Sequence, residues 1–468
     1  MATFLTTSTA GLKFTVRRQP AVLVAPAAPT PRELKRLSDI DDQEEGLRFR
    51  VPVVQVYRRS ASCAGGGLLD PAAVIRDAVA RALVHYYPLA GRLRELEGRK
   101  LAVDCTAEGV PFAEADADDV RLDDFGDSVH PPLPCLEELL LFDDVVPATA
   151  TTSSSIANSA VVHIQVTRLA CGGFVLAVQM SHTVADALGM LQFLEAVAEL
   201  ARGAAAPTVR PVWARDLLMA RNPPRPSFPH REYDDEVPLD DPIALPADQL
   251  VQGFVFFTPR DVAAIKARLA PGLRERSTTF DVLTAFLWKC RTTALQLQDA
   301  DEEVRIGLTV SACHGKRGRL RLPRGYYGNT VVLAVAVSTA GELRANPVSY
   351  AVELVSKAKA EVNAEYIQSV ADLMVLRGRP RFGLYLVSDQ TKIGFAGVDY
   401  GWGQPVHGGM AAMALSPLPG MFSFLIPCKN ADGEDGIVIP IWLPGHAMDR
   451  FTEEVGNLMR PPHKMSSI

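Results

Sequence analysis

Residues Phe174–Met180 read FVLAVQM, an almost unbroken apolar run of strand length with neither Gly nor Pro inside it. Such a run suits a strand buried on both faces, so the rest of the chain has to cover it on two sides. The period then changes. Ala187, Met190, Leu191, Leu194, Val197 and Ala198 recur at helical spacing, which makes one apolar face of an amphipathic helix running to about Arg202. Between strand and helix lies the polar stretch Ser181-His182-Thr183-Val184-Ala185-Asp186. A titratable group is thereby set at the end of a buried strand, where the strand holds the backbone and the loop opens to substrate. His182 is the candidate catalytic residue. A lone His is nevertheless more often a hydrogen-bonded structural residue, and a His four residues before an Asp arises by chance in many chains. The spacing by itself leaves both readings open. No metal site is expected, because zinc takes three or four convergent ligands and no second His or Cys cluster lies nearby in sequence.

At 468 residues the chain is too long for one ordinary core and suits two domains of about 200 residues each. Its charged fraction of 22% is that of a soluble globular protein. The net charge of −6, with no long basic block, gives no electrostatic case for nucleic acid. Seven cysteines are scattered without a Cys-x-x-Cys pair, the usage of reduced thiols in an intracellular protein. No apolar run approaches the roughly 20 residues needed to span a bilayer, so no membrane partner is expected. The first residues lack the basic and apolar regions of a signal peptide. The end, Met465-Ser466-Ser467-Ile468, lacks the central basic residue and terminal Leu of a peroxisomal tripeptide. The cytoplasm is the expected location, with the peroxisome as the weaker alternative.

Along the chain, Leu12, Phe14 and Val16 alternate with polar residues as in a half-buried strand. Val51 to Tyr57 reads as a second strand. Asp70-Pro71 opens a helix with an N-cap and a Pro at its first position, and Pro88 ends it. Asp143 to Asn158, with its Thr/Ser run, reads as a surface loop. Val162, Ile164 and Val166 alternate into the turn Cys171-Gly172-Gly173, a hairpin returning as the buried strand. Nine prolines then fall between Gly203 and Leu250, as in an extended crossover between domains. Its embedded Trp213, Leu217, Leu218 and Met219 favour an ordered loop wrapped over the fold. The second half restarts with a strand at Gly253 to Thr258 and helices from Pro259 and from Thr278. Lys289 is expected near the end of the latter. A single helix is expected over roughly Pro347 to Tyr366, and strands at Val304–Val310, Val331–Val337, Phe422–Pro427 and Ile437–Trp442.

His182-x-x-x-Asp186 near the middle and Asp399-Tyr400-Gly401-Trp402-Gly403 near the C-terminus, about 215 residues apart, together resemble the plant BAHD acyltransferases. Four further segments resemble that family: LSDID at Leu37 to Asp41, YPLAGR at Tyr87 to Arg92, YYGN at Tyr326 to Asn329, and Trp213 to Leu218 with Ala220 to Pro224 in the crossover. The last is similar to the branch that includes benzyl alcohol benzoyltransferases. The resemblance covers essentially the whole chain.

That resemblance implies an α/β fold of two chloramphenicol-acetyltransferase-like domains, with mixed sheets and flanking helices. The domains map to 1–202 and 251–468, joined by a long crossover loop at 203–250. It implies acyl-CoA as co-substrate, with no permanently bound cofactor, and a small alcohol acceptor, both entering a channel between the domains of a monomer. His182 takes the role of general base, and Asp186, Asp399, Tyr400, Gly401, Trp402 and Gly403 take structural roles. The CoA-contacting residues are not assigned. The chemistry agrees, since an alcohol needs a base and a neutral His suits that task near pH 7. Benzoyl-CoA and benzyl alcohol are the expected substrates. An acetyl-CoA-dependent alcohol acetyltransferase, an amine N-acyltransferase and a non-catalytic acyl-CoA-binding relative are the alternatives. Two departures stand out. Tyr400 replaces the usual Phe, and the Arg that usually pairs with the motif Asp has no clear counterpart, leaving Lys316, Arg317 or neither for Asp186.

Overall fold

A computed structural model describes residues 3–4, 12–41, 47–59, 70–125, 133–141, 157–234, 249–312, 320–378, 384–411, 420–430 and 432–460. The first half builds β1 (Arg50–Tyr57), α1 (Pro71–His85), β2 (Val110–Ala117), β3 (Val162–Leu169), β4 (Phe174–Ser181) and α2 (Ala187–Ala201). Asp70 accepts from the backbone N–H of Ala72 and starts α1 as its sequence predicts. That helix stops at His85, and Pro88 sits in the short 3-10 turn Tyr87–Ala90 that follows. The hairpin β3–β4 is antiparallel, β1 pairs antiparallel with the other edge of β4, and β2 runs parallel to β3. Every residue of β4 is buried, because α1 and α2 pack on one face of its sheet while a smaller apolar cluster covers the other.

The second half builds β5 (Leu250–Phe257), α3 (Thr279–Leu295), β6 (Glu303–Ser311), β7 (Val331–Thr339), α4 (Val348–Glu361), α5 (Ala364–Arg377), β8 (Tyr385–Asp389), β9 (His407–Met410), β10 (Phe422–Lys429), β11 (Asp435–Pro444) and α6 (Gly445–Met459). Its sheet is mixed, in the order Thr3–Phe4, β5, β11, β10, β8, β6, β7. Two segments cross the expected spans. Thr3–Phe4 pairs with β5 in the second sheet, and β9 pairs with β1 in the first. The architecture is a two-domain α/β fold. Among the described residues, no helix is long and apolar enough to cross a membrane.

Several local expectations need correction. Residues 12–16 are not in a strand. Phe14 is buried, but the Thr15 N–H donates to the Asp119 carboxylate at 3.0 Å instead of to a neighbouring strand. The helix expected over 347–366 is two helices. Val362 is extended, and Asn363 restarts the chain as an N-cap accepting from Tyr366 N at 2.9 Å. Lys289 lies mid-way along α3 rather than near its end, with Nζ donating to the carbonyls of Leu343, Arg344 and Asn346. The amphipathic α6 was not anticipated. Residues 143–156 and 465–468 lie outside the described residues.

The described part of the crossover is tied to both halves of the fold between residues 213 and 225. Trp213 Nε1 donates to Arg36 O, and Ala220 N donates to Asp39. Further on, the buried carboxylate of Asp372 on α5 accepts from Arg221 N and Nε and from Arg225 N. These partners belong to the two halves of the fold, so residues 213–225 lie over it as an ordered segment, while residues 235–248 of the expected crossover lie outside the described residues.

Candidate active site

The register of β1 and β4 decides where His182 sits. The last ladder pair is Ser181 opposite Arg50, and one step further the His182 N–H donates to Phe49 O at 2.9 Å. His182 is therefore held by sheet hydrogen bonding at its backbone while its half-buried ring clears the strand end.

The ring is held from the second domain. His182 Nδ1 lies 3.0 Å from Asn329 Oδ1. Asn329 Nδ2 donates to His182 O at 2.7 Å and to Asp41 Oδ1 at 2.9 Å. A carbonyl and a carboxylate can only accept, so these contacts assign the amide orientation and leave Oδ1 facing the imidazole. Nδ1 must then carry the proton, which leaves the lone pair of the neutral ring on Nε2.

Asp41 anchors this relay. Its Oδ1 also accepts from Asn329 N at 2.9 Å, and its Oδ2 accepts from Ser38 N at 3.0 Å and Ser38 Oγ at 2.7 Å. Its cation comes from the crossover. Arg215 Nε lies 3.2 Å from Asp41 Oδ2, with both side chains almost fully buried, and the guanidinium donates to Val184 O at 2.7 Å in the His182 loop. The rings of Trp213, Tyr326 and Tyr327 surround it, with centroids 4.4, 5.0 and 5.2 Å away. Burial works against the charge, but the Asp41 carboxylate and the two tyrosines outweigh it and raise the Arg215 pKa above its ordinary value. Gly328 follows from this packing, because a Cβ there would lie 1.4 Å from an Arg215 guanidinium nitrogen.

Asp186 does a separate job. Oδ1 accepts from Leu188 N and Gly189 N at 3.0 Å each, the N-cap of α2. Oδ2 accepts from Thr330 N and Oγ1, also at 3.0 Å. The carboxylate thus ties the His182 loop to the second domain through neutral donors. Lys316 and Arg317, weighed as its partners, lie outside the described residues. α2 approaches so closely that a Cβ at Gly189 would lie 2.2 Å from Tyr327 O.

The loop at Asp399 to Gly403 is elsewhere. Asp399 Oδ1 accepts from Gly401 N and Gly403 N at 2.7 and 2.9 Å, and Arg202 donates to Asp399 O. Trp402 packs edge-on against Phe174, 5.3 Å between centroids. Phe174 is the first residue of β4 and Ser181 the last, a span of about 23 Å at the rise of an extended strand. This loop and His182 therefore sit at opposite ends of the strand. Burial pushes the Tyr400 phenol above its ordinary pKa. The hydroxyl that departs from the usual Phe donates to Gln55 Oε1 at 3.1 Å, and Gln55 Nε2 donates to Phe395 O at 2.7 Å.

Asp41, Arg215 and Asn329 fall in segments singled out from the sequence, yet no role was read for any of them, and Phe49 and Thr330 were passed over. A buried polar residue in each of three distant segments is a weak signal until the segments are seen to converge.

Two mixed α/β domains that meet around a strand-end histidine make up the architecture of a two-domain acyltransferase. Vinorine synthase, a solved structure, superposes with a TM-score of 0.70 and 21% identity over 95% of this chain and 98% of that one. A family model described as the Transferase family matches residues 13–458. The chain belongs to the BAHD acyltransferase family. It is 52% identical over 454 residues to a benzyl alcohol O-benzoyltransferase of Nicotiana tabacum, covering 96% of this chain and 95% of that protein. It is 47% identical over 453 residues to alcohol acyl transferase 2 of Malus domestica, with the same two coverages. The protein is an acyl-CoA-dependent alcohol acyltransferase, and acyl-CoA is its co-substrate.

Proposed function

We propose that this protein transfers a benzoyl group from benzoyl-CoA to benzyl alcohol, with His182 as general base, as a monomer acting through a ternary complex. The observation that carries the base assignment is the Asp41–Asn329–His182 relay, which leaves the lone pair on Nε2. In this reading Nε2 takes the hydroxyl proton as the alcohol oxygen attacks the thioester carbonyl. The tetrahedral intermediate then collapses with loss of the CoA thiolate, which recovers the proton from the imidazolium. Asn329 Oδ1 accepts from Nδ1–H throughout, so the ring does not turn between the two proton transfers. No acyl-enzyme is required, because the thioester already supplies an activated acyl group. The choice of benzoyl and benzyl groups rests on the 52% identity to the Nicotiana tabacum protein.

The test crosses benzoyl-, acetyl- and hydroxycinnamoyl-CoA with benzyl alcohol, hexenol and a set of amines, following CoA release. The highest kcat/KM is expected for benzoyl-CoA with benzyl alcohol. A preference for acetyl-CoA or for an amine acceptor would replace this assignment, and ping-pong kinetics would remove direct transfer. Sedimentation at assay concentration is expected to give a single species of about one chain's mass.

A further inference from the structure

Phe49 and His182 are opposed residues of an antiparallel pair, so their side chains leave the sheet on the same face. The pairs before them on that face are Val53 with Val178 and Val51 with Met180, all buried. At Phe49 and His182 the burial ends, and both residues are half-buried. Their rings meet edge-on, 5.3 Å between centroids and 65° between planes. The apolar face of this sheet therefore runs out from the core and ends in an aromatic ring in contact with the candidate base.

We infer that Phe49 is a specificity-determining residue, an aromatic wall that selects a substrate carrying a ring one carbon from the reacting centre. The inference deepens the reading of His182 as base and rests on it. A hydroxyl oxygen giving its proton to that imidazole lies about 3 Å from a ring nitrogen. A ring joined to the carbinol carbon, or to the thioester carbonyl that the oxygen attacks, then comes within packing distance of Phe49. Aromatic pairs prefer edge-on or offset contact and gain beyond the area they bury. An alkyl chain at the same place keeps the area and loses that gain. Phe49 also backs the imidazole, so its loss must be read as a ratio between substrates rather than as a rate.

The test compares wild type with Phe49→Leu and Phe49→Tyr in two arms. One holds benzoyl-CoA and varies benzyl alcohol against hexanol; the other holds hexanol and varies benzoyl-CoA against acetyl-CoA. Phe49→Leu is expected to lower the aromatic-to-aliphatic ratio of kcat/KM by about 2- to 10-fold in at least one arm, which identifies the ring concerned. Phe49→Tyr, which keeps the ring, is expected to hold both ratios within about twofold of wild type. Equal losses on every substrate pair would overturn the inference and reduce Phe49 to packing behind His182, and unchanged ratios would overturn it as well. Failure of the substrate assignment is separately visible, since it shows in wild type alone as the lack of any aromatic preference.

Discussion

His182→Ala is expected to lose about 10²–10⁴-fold in kcat, the usual cost of removing a general base, while its melting temperature stays near that of wild type. The expectation of a small stability change follows from what the side chain touches. The residue is half-buried, and its ring meets an amide oxygen and, edge-on, a phenyl ring rather than the buried core. The backbone hydrogen bond to Phe49 O survives the substitution. Asn329→Leu is the companion experiment. It keeps the Asn329 backbone N–H that reaches Asp41 but removes the oxygen that holds Nδ1–H, so the neutral ring is free to carry its proton on either nitrogen. Turnover should fall here too, by less than in His182→Ala, with CoA binding retained. The measurements are steady-state CoA release, a thermal melt and CoA titration on both variants. Near wild-type kcat in His182→Ala would remove the base assignment, and near wild-type kcat in Asn329→Leu would remove the relay as its support.

What the sequence revealed was mostly local. The buried strand, the polar connection and the amphipathic α2 lie within one short stretch, and each shows in its own period. Asp70-Pro71 and Asp186 announce helix starts because a cap acts on N–H groups two or three residues away. Errors arose where a local period could not report a break. The apolar spacing of α4 and α5 continues across Val362 and Asn363, so one helix was expected where there are two. The convergence of Asp41, Arg215 and Asn329 is a property of packing between halves and has no period at all. Phe49 was hidden for a related reason. The hairpin turn sets the register of β3 on β4, but β1 reaches β4 from far along the chain, and only the observed pairing puts Phe49 opposite His182. The cation sought for Asp186 is instructive as well. The structure supplies Asp186 with four neutral donors and gives the buried arginine to Asp41.

That division of partners sets the other large effect. Arg215→Met is expected to destabilise the protein by about 3–5 kcal/mol, the cost of breaking a buried ion pair by removing one member. Asp41 would keep its bonds to Ser38 and Asn329 but lose its counter-charge in a site with almost no exposure. The aromatic cage of Trp213, Tyr326 and Tyr327 would lose the cation it surrounds, and Val184 O would lose a donor. Asp186→Ala should cost less. The cap accounts for ~0.5–2 kcal/mol, and orphaning the Thr330 amide adds ~1–3 kcal/mol, with no counter-charge left behind among the described residues. A double variant separates charge from shape. Asp41→Asn with Arg215→Met removes both charges, and replacing a buried pair by neutral groups is far cheaper than breaking it, so part of the loss should return. Gly328→Ala reaches the same contact from the other side, because its new methyl would collide with the guanidinium, and its denaturation midpoint should fall as well. Chemical denaturation curves on these four proteins and wild type decide the matter. If Arg215→Met unfolds at the wild-type midpoint, or if the double variant is less stable than Arg215→Met alone, the Asp41–Arg215 pair does not carry the charge balance beneath the His182 loop, and the relay to His182 must be held by its neutral hydrogen bonds.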